Sequence, residues 1–348
     1  MAEKYFLRAN SAQGEVNLIY DNLRGINEII IVEGKSGTAK KRFFSQVNKV
    51  LSEMGKELEG IMSPFDVGEY EGLIDRKEGW AIFDSRCAKN IRGEVINLDK
   101  CLKRSLELAP DGFELLWQKS KWAYENLHKS YADAKEIHDL WEKVYVEKMD
   151  FARLNSYCDG LIGQLIPSRR SSLEGRRRTG FFGASTPDGS VNYIGGITEN
   201  IKNRYFIKGR PGTGKSTFLK KLAAQAEKNG YDTQVYYCSF DKNSLDMVVV
   251  RDLDFAVFDS TLPHQLFPER EGDSILDFYT EAGLAGTDEA YSDHLAYLAK
   301  LYSHKIGQGT AYLRLGLSFE KEAEFYYERA MDENEIYIAA DKILRKLV

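Results

Sequence analysis

Hydrophobic positions in the second half of the chain fall into blocks whose period changes. Ser190–Gly195 alternates apolar and polar residues and ends in a turn, which predicts an antiparallel hairpin. Tyr205–Lys208 is a short apolar run, and Gly209–Gly214 after it is rich in turn residues. From Lys215 to Asn229 the spacing becomes helical, with Phe218, Leu219, Leu222, Ala223 and Ala226 on one face and Gly230 as the stop. Gln234–Phe240 is rich in β-formers. Met247–Val250 and Phe255–Phe258 are unbroken apolar runs, as in strands buried on both faces. Strands alternating with helices predict an α/β fold with a parallel sheet. A long, charged segment with helical spacing then runs from Asp288 to Leu347, and Phe113–Leu165 reads the same way.

The blocks occur twice. A shift of 175 positions carries Gly34, Gly37, Thr38, Lys40 and Phe43 onto Gly209, Gly212, Thr213, Lys215 and Phe218. The same shift carries Phe65-Asp66 onto Phe240-Asp241, and Ala81 and Phe83-Asp84-Ser85 onto Ala256 and Phe258-Asp259-Ser260. Upstream, Gly14, Val16 and Asn17 fall on Gly189, Val191 and Asn192. One ungapped register joining a loop, two strand ends and a hairpin predicts two copies of one unit, with the register drifting beyond Asp84 and Asp259. The expected organisation is two tandem domains, 1–165 and 181–348, each a parallel sheet flanked by helices with a long helical segment, joined by an arginine-rich linker over 166–180. The linker holds Arg169, Arg170, Arg176, Arg177 and Arg178. It reads as a solvated spacer, or as the source of one guanidinium whose planar fork reaches a phosphate.

Composition changes the picture only at its edges. An apolar share of 43% and a charged share of 29% are those of a globular chain of 348 residues with room for two cores. A net charge of -5 disfavours nucleic acid as the main partner, because a phosphate backbone rewards a basic surface. Cys87, Cys101, Cys158 and Cys238 form no C-x-x-C pair and read as buried reduced thiols. The opening MAEKYFLRAN has no apolar signal core, and no window of about 18 apolar residues occurs, so a cytoplasmic protein without a membrane partner is expected.

The chemistry concentrates in Gly209-Arg210-Pro211-Gly212-Thr213-Gly214-Lys215-Ser216, which satisfies G-x-x-x-x-G-K-[ST] and is followed by Thr217. Glycines let backbone N–H groups converge on phosphate oxygens, and the following helix adds its dipole and free N–H groups. Lys215 is expected to reach the β- and γ-phosphates, and the Ser216 hydroxyl to hold Mg²⁺. The first copy reads Gly34-Lys35-Ser36-Gly37-Thr38-Ala39-Lys40-Lys41. Ala39 replaces the last loop glycine and Lys41 the metal-binding hydroxyl, which predicts a degenerate unit that does not hydrolyse nucleotide and is left open to a phosphate or a metal-free nucleotide.

Asp259 closes the apolar run Phe255–Phe258 and is the expected carboxylate for Mg²⁺, against the plainer role of a turn cap. Asp241, at the end of the preceding strand, is a candidate base or water-positioning group, with turn capping as the alternative; Asp246 is weaker. His264 reads as a structural or exposed loop residue. Ser260 follows Asp259 where motor-type ATPases keep a glutamate, which predicts slow turnover unless another carboxylate substitutes. Tyr193, on the hairpin before the loop strand, is a candidate for stacking on adenine, or an aromatic packed between strands.

The loop with its flanking strand and helix resembles the P-loop NTPase superfamily. Through Arg204–Ala223, Tyr236–Val249 and Phe258–His264 the whole chain resembles an uncharacterised bacterial family of duplicated P-loop ATPases. The resemblance implies ATP and Mg²⁺ as ligands and names no substrate. Three functions follow: a regulatory or accessory ATPase whose helical segments contact a partner protein, a kinase acting on a small molecule or nucleotide with Asp241 activating the acceptor hydroxyl, and a nucleotide sensor that does not hydrolyse. The kinase needs a lid, expected after Gly272. The intact and altered loops make a direct prediction: Lys215→Ala abolishes Mg-ATP binding in calorimetry, whereas Lys40→Ala leaves it largely intact.

Overall fold

A computed structural model describes residues 3–103, 113–167 and 173–347. The first half runs β1 (Lys4–Tyr5), β2 (Arg8–Ser11), β3 (Gly14–Asn17), β4 (Glu28–Glu33), α1 (Gly37–Glu53), β5 (Glu59–Met62), β6 (Tyr70–Asp75), β7 (Trp80–Asp84), β8 (Glu94–Asn97), α2 (Phe113–Val146) and α3 (Phe151–Leu165). The second runs β9 (Arg177–Gly180), β10 (Gly183–Thr186), β11 (Gly189–Asn192), the short α4 (Ile194–Ile197), β12 (Asn203–Lys208), α5 (Lys215–Lys228), β13 (Thr233–Tyr237), β14 (Leu245–Val250), β15 (Phe255–Asp259) and β16 (Asp273–Asp277). It closes with the short α6 (Phe278–Glu281) and α7 (Thr287–Ala290), then α8 (Ser292–Glu328) and α9 (Glu333–Leu347).

Each half builds a six-stranded sheet in the same order, β1-β5-β6-β7-β4-β8 in the first and β9-β13-β14-β15-β12-β16 in the second. The shift of 175 positions relates β4 to β12 and β7 to β15; it grows to 179 at β8 and β16 and to 182 at α3 and α9. The sheets are mixed, which corrects the expectation of a parallel sheet. β6 runs antiparallel to β5 and β7, and β14 antiparallel to β13 and β15. The reason is connection length. Only Arg251–Asp254 separates β14 from β15, and a parallel neighbour needs a crossover of about a dozen residues or more. The buried apolar runs reported burial on two faces, not strand direction.

Strand alternation gives each sheet two apolar faces. Ile30, Val32, Leu73 and Ile82 point to one side of the first sheet, and Ile31, Ile61, Ile74 and Phe83 to the other. The second set packs directly on Phe206, Met247, Val249 and Phe258 of the second sheet. The sheets are therefore back to back, with helices outside. At their junction Phe6 and Phe181, equivalent residues 175 positions apart, exchange backbone hydrogen bonds of 2.9 and 2.8 Å. Reciprocal bonds between equivalent residues mark a pseudo-two-fold axis.

The outer helices are exchanged between halves. In α3 of the first half, Leu154 and Cys158 pack with Phe218, Leu219 and Leu222 of α5. In α9 of the second half, Ile336, Ala340, Ile343 and Leu344 pack with Phe43, Phe44 and Val47 of α1. The long α2 and α8 lie against each other and carry these arms across. Their close approach uses glycine: Tyr131 covers Gly309 and Tyr124 covers Gly316, where a Cβ would come within 2.2 and 2.6 Å of the rings.

The arginine-rich stretch is partly sheet. Arg177–Gly180 is the edge strand β9, paired with the start of β13 (Arg177 opposite Thr233). Arg169 and Arg170 lie outside the described residues. Helix exchange makes a test that local sequence does not. Ile336→Ala should destabilise the protein by about 2–4 kcal/mol in urea unfolding, as for other buried large-to-small changes. Hydrogen exchange should then rise in α1 and β4 of the first half rather than in α5 and β12.

Candidate functional site

The Gly209–Ser216 loop joins the carboxyl end of β12 to the amino end of α5. Gly212 and Gly214 both sit at φ 78°, a conformation costly for any residue with a Cβ. Gly214 is the N-cap of α5 and makes no side-chain cap bond, so no side chain at that position competes for the first amides of the helix. Thr213 is buried and donates its hydroxyl to the Arg210 carbonyl at 2.8 Å. Lys215 Nζ donates to the same carbonyl at 2.9 Å and lies 3.6 Å from Asp259 Oδ2. Ser216 Oγ accepts the amide of Leu245, at the start of β14, at 2.8 Å. Arg210 pairs outward with Asp288, and Thr217 is exposed.

The first half shows what the glycine decides. Ala39 stands at the position of Gly214 and is helical, so α1 begins at Gly37, the equivalent of Gly212. The loop's last turn is absorbed into the helix, and Ser36 caps it by accepting the Ala39 amide at 3.0 Å. Glu324 from α8 fills the mouth, for a Cβ on Gly37 would lie 2.5 Å from its carboxylate oxygen. Thr38 hydrogen-bonds to Glu328. Burial pushes Glu324 up to about 7. Lys41 points to Glu69 instead of the metal position expected from its place in the loop.

The charges beneath the two loops differ in a way that bears on a divalent cation. In the first half, Glu71 pairs with Arg8 at 3.0 Å, and Asp84 with Lys40 and Arg86, both at 3.0 Å. Asp84 is held well below the carboxylate range despite burial, by Arg86 and Lys40. In the second half the equivalent carboxylates are Asp246 and Asp259, while Gly183 and Thr261 stand in place of Arg8 and Arg86. Only the lysine is kept. Burial and then the charge of Asp259 raise Asp246 to about 7. Two carboxylates near Lys215, and the hydroxyl of Ser216 next to it in the chain, are hard oxygen donors of the kind Mg²⁺ takes. Asp259 Oδ1 also accepts the Thr261 amide at 3.0 Å and its hydroxyl at 2.6 Å, which orients it.

The roof over this loop comes from the other half. A Cβ on Gly212 would lie 2.9 Å from the Glu142 carbonyl and 3.2 Å from Glu142 Cβ, so the end of α2 rests on the loop. His138, Asp139 and Glu142 on α2 cluster within 4.8 Å, and Lys135 lies 3.5 Å from Asp241. His138 is lowered to about 4 by burial and by Lys135. Asp241 accepts Gln13 Nε2, from the tip of the β2–β3 hairpin, at 3.1 Å and the Asn243 amide at 3.0 Å, so it caps the turn after β13 instead of closing the strand, which ends at Tyr237.

Other candidates lie elsewhere. Tyr193 packs on Phe6 with ring centroids 5.2 Å apart, in the interface between halves, so its aromatic face is used for packing. His264 fills the space beside Gly183, edge-on to Phe182 at 5.0 Å, and burial lowers it to about 4. Arg177 pairs with Glu227 and Arg178 with Glu59 at the far end of the second sheet from the loop, so neither reaches it. Of the segment after Gly272, Phe278 lies against Gly209 and Asp288 pairs with Arg210 of the second loop, whereas the far end of α8 lies over the first loop.

No protein-family model matches the chain, and neither the curated proteins nor the solved structures provide a match. Among the described residues no helix is long and apolar enough to cross a membrane.

Asp246 generates a pH prediction. Its folded pKa lies above the unfolded value, so the folded state binds the extra proton between about pH 4 and pH 7 and loses stability as pH rises through that window. Asp246→Asn should therefore stabilise the metal-free protein at pH 8 by about 1–3 kcal/mol, after allowance for solvent screening. The difference should vanish below about pH 4 in thermal melts.

Proposed function

We propose that this protein is a Mg²⁺-dependent ATP-binding protein that hydrolyses nucleotide slowly at the Gly209–Ser216 loop, with its first half as a non-hydrolysing accessory unit. The observation that carries the reading is the contrast between two equivalent places. In the first half the helix start is capped by Ser36, and the carboxylates are neutralised by Arg8, Arg86 and Lys40. In the second half the helix start has no side-chain cap, and Asp246 and Asp259 share one nearby lysine.

Such a place suits a polyphosphate carrying a divalent cation. The loop amides and the amino end of α5 would hold phosphate oxygens, and Lys215 would turn from the Arg210 carbonyl to the β- and γ-phosphates. Ser216 and Asp259, with Asp246 beside them, would hold Mg²⁺, which when bound neutralises charge on the two terminal phosphates. Ser260 is buried and bonded to Leu266 and Lys208, so it offers no base. That agrees with slow turnover. The adenine preference rests on the sequence resemblance. The kinase reading is the alternative: Phe278 and Asp288, from the segment expected to form its lid, lie against the loop.

Asp259→Asn should lower ATP affinity at least tenfold in Mg²⁺ and change it little in EDTA. Equal losses in both conditions would refute the metal role. Sustained ADP release without an added acceptor supports hydrolysis over transfer.

A further inference from the structure

The hydrolase reading leaves one chemical role unfilled, the group that takes the proton from the attacking water. The carboxylates on the second sheet are committed elsewhere. Asp259 is oriented by Thr261 toward Lys215, Asp246 stands beside it on the metal side, and Asp241 is tied to Gln13, Asn243 and Lys135. The roof offers another. Glu142 lies with its Cβ against Gly212, at the loop mouth, and its carboxylate feels Lys135 and Asp139 on its own helix and Lys215 and Asp241 across the gap.

We propose that Glu142, carried on α2 of the first half, is the catalytic base for water attack at the loop of the second half, with His138 as its positioning residue; the proposal rests on the hydrolase reading above. Glu142 Oε1 lies 3.7 Å from His138 Nδ1, beyond hydrogen-bond length, and that buried Nδ1 has no hydrogen-bond partner. An unpaired buried nitrogen beside a carboxylate is a place for a water held by both. His138 stays neutral there, so it orients the water without donating charge. Burial raises Glu142, which strengthens it as a base. In the reaction the water oxygen bonds to the γ-phosphorus as the bond to the β–γ bridging oxygen breaks. The electron pair leaves on ADP, and the water proton passes to the Glu142 carboxylate. The pseudo-symmetry supports the placement. A shift of 182 positions, the one that relates α3 to α9, carries Glu142 onto Glu324, the carboxylate that fills the mouth of the first loop. The same position thus holds a glutamate over both loops. Over the degenerate loop it occupies the mouth, and over the intact one it stands aside, next to His138.

The test compares full-length wild type, Glu142→Gln and Glu324→Gln for Mg-ATP affinity by calorimetry and for ADP release. Glu142→Gln should keep affinity within about threefold and lose about 10²-fold or more in turnover, the usual size of a general-base contribution. Its residual rate should lose the acid limb of the wild-type pH profile. Glu142→Asp should recover part of the rate, and Glu324→Gln should leave turnover unchanged. Wild-type turnover in Glu142→Gln, or affinity and rate falling together, would overturn the role of Glu142 and leave the hydrolase reading standing. Binding without any ADP release from the wild type would overturn the hydrolase reading, and this role with it.

Discussion

The exchange of outer helices is the constraint on which the rest of the structure depends. Neither half completes the cover of its own core. The apolar face of α1 is completed by α9, and that of α5 by α3, each from the opposite half. A fully buried aliphatic side chain is worth about 1.5–3 kcal/mol, so several on each arm bind the halves far more firmly than a surface contact would. The back-to-back sheets and the reciprocal Phe6–Phe181 bonds then need only to align what the arms already hold together.

The exchange also fixes which residues meet at the two loops. For each arm to reach the opposite half, α2 and α8 must cross, and each ends over the loop of the other unit. The surroundings of each loop are therefore written in the other half of the sequence. Without the first half, the second would lack both a helix on its core and a roof over its loop.

Electrostatics separates the two equivalent sites. The first is internally neutralised, with Arg8, Arg86 and Lys40 against Glu71 and Asp84 and a helix start capped by its own serine. The second keeps the carboxylates and the lysine but lacks both arginines and the cap. The contrast arises from few substitutions. Ala39 in place of Gly214 forbids the positive φ that keeps the loop out of the helix, and the rest of the first site closes around that change.

Much of this was legible in the sequence for local reasons. The helix after Lys215 follows from the spacing of Phe218, Leu219 and Leu222, and its start from a glycine able to adopt positive φ. The apolar run Phe255–Phe258 placed Asp259 at a strand end, whereas Asp241, expected to close the run before it, lies beyond β13 in the turn to β14. Strand direction in β6 and β14 was also within reach through their short connections, though apolar content alone misled. Tertiary structure decided what depends on contacts distant in sequence. It moved Tyr193 into the interface between halves and set Arg177 and Arg178 at the far end of the sheet. It brought Glu142 and His138 to the Gly209–Ser216 loop from the other half of the chain, and Gln13 to Asp241. Helical spacing shows that α2 has faces to bury, but not which half supplies the surface that buries them; that choice follows from how the two sheets, the α2–α8 pair and the two arms pack together.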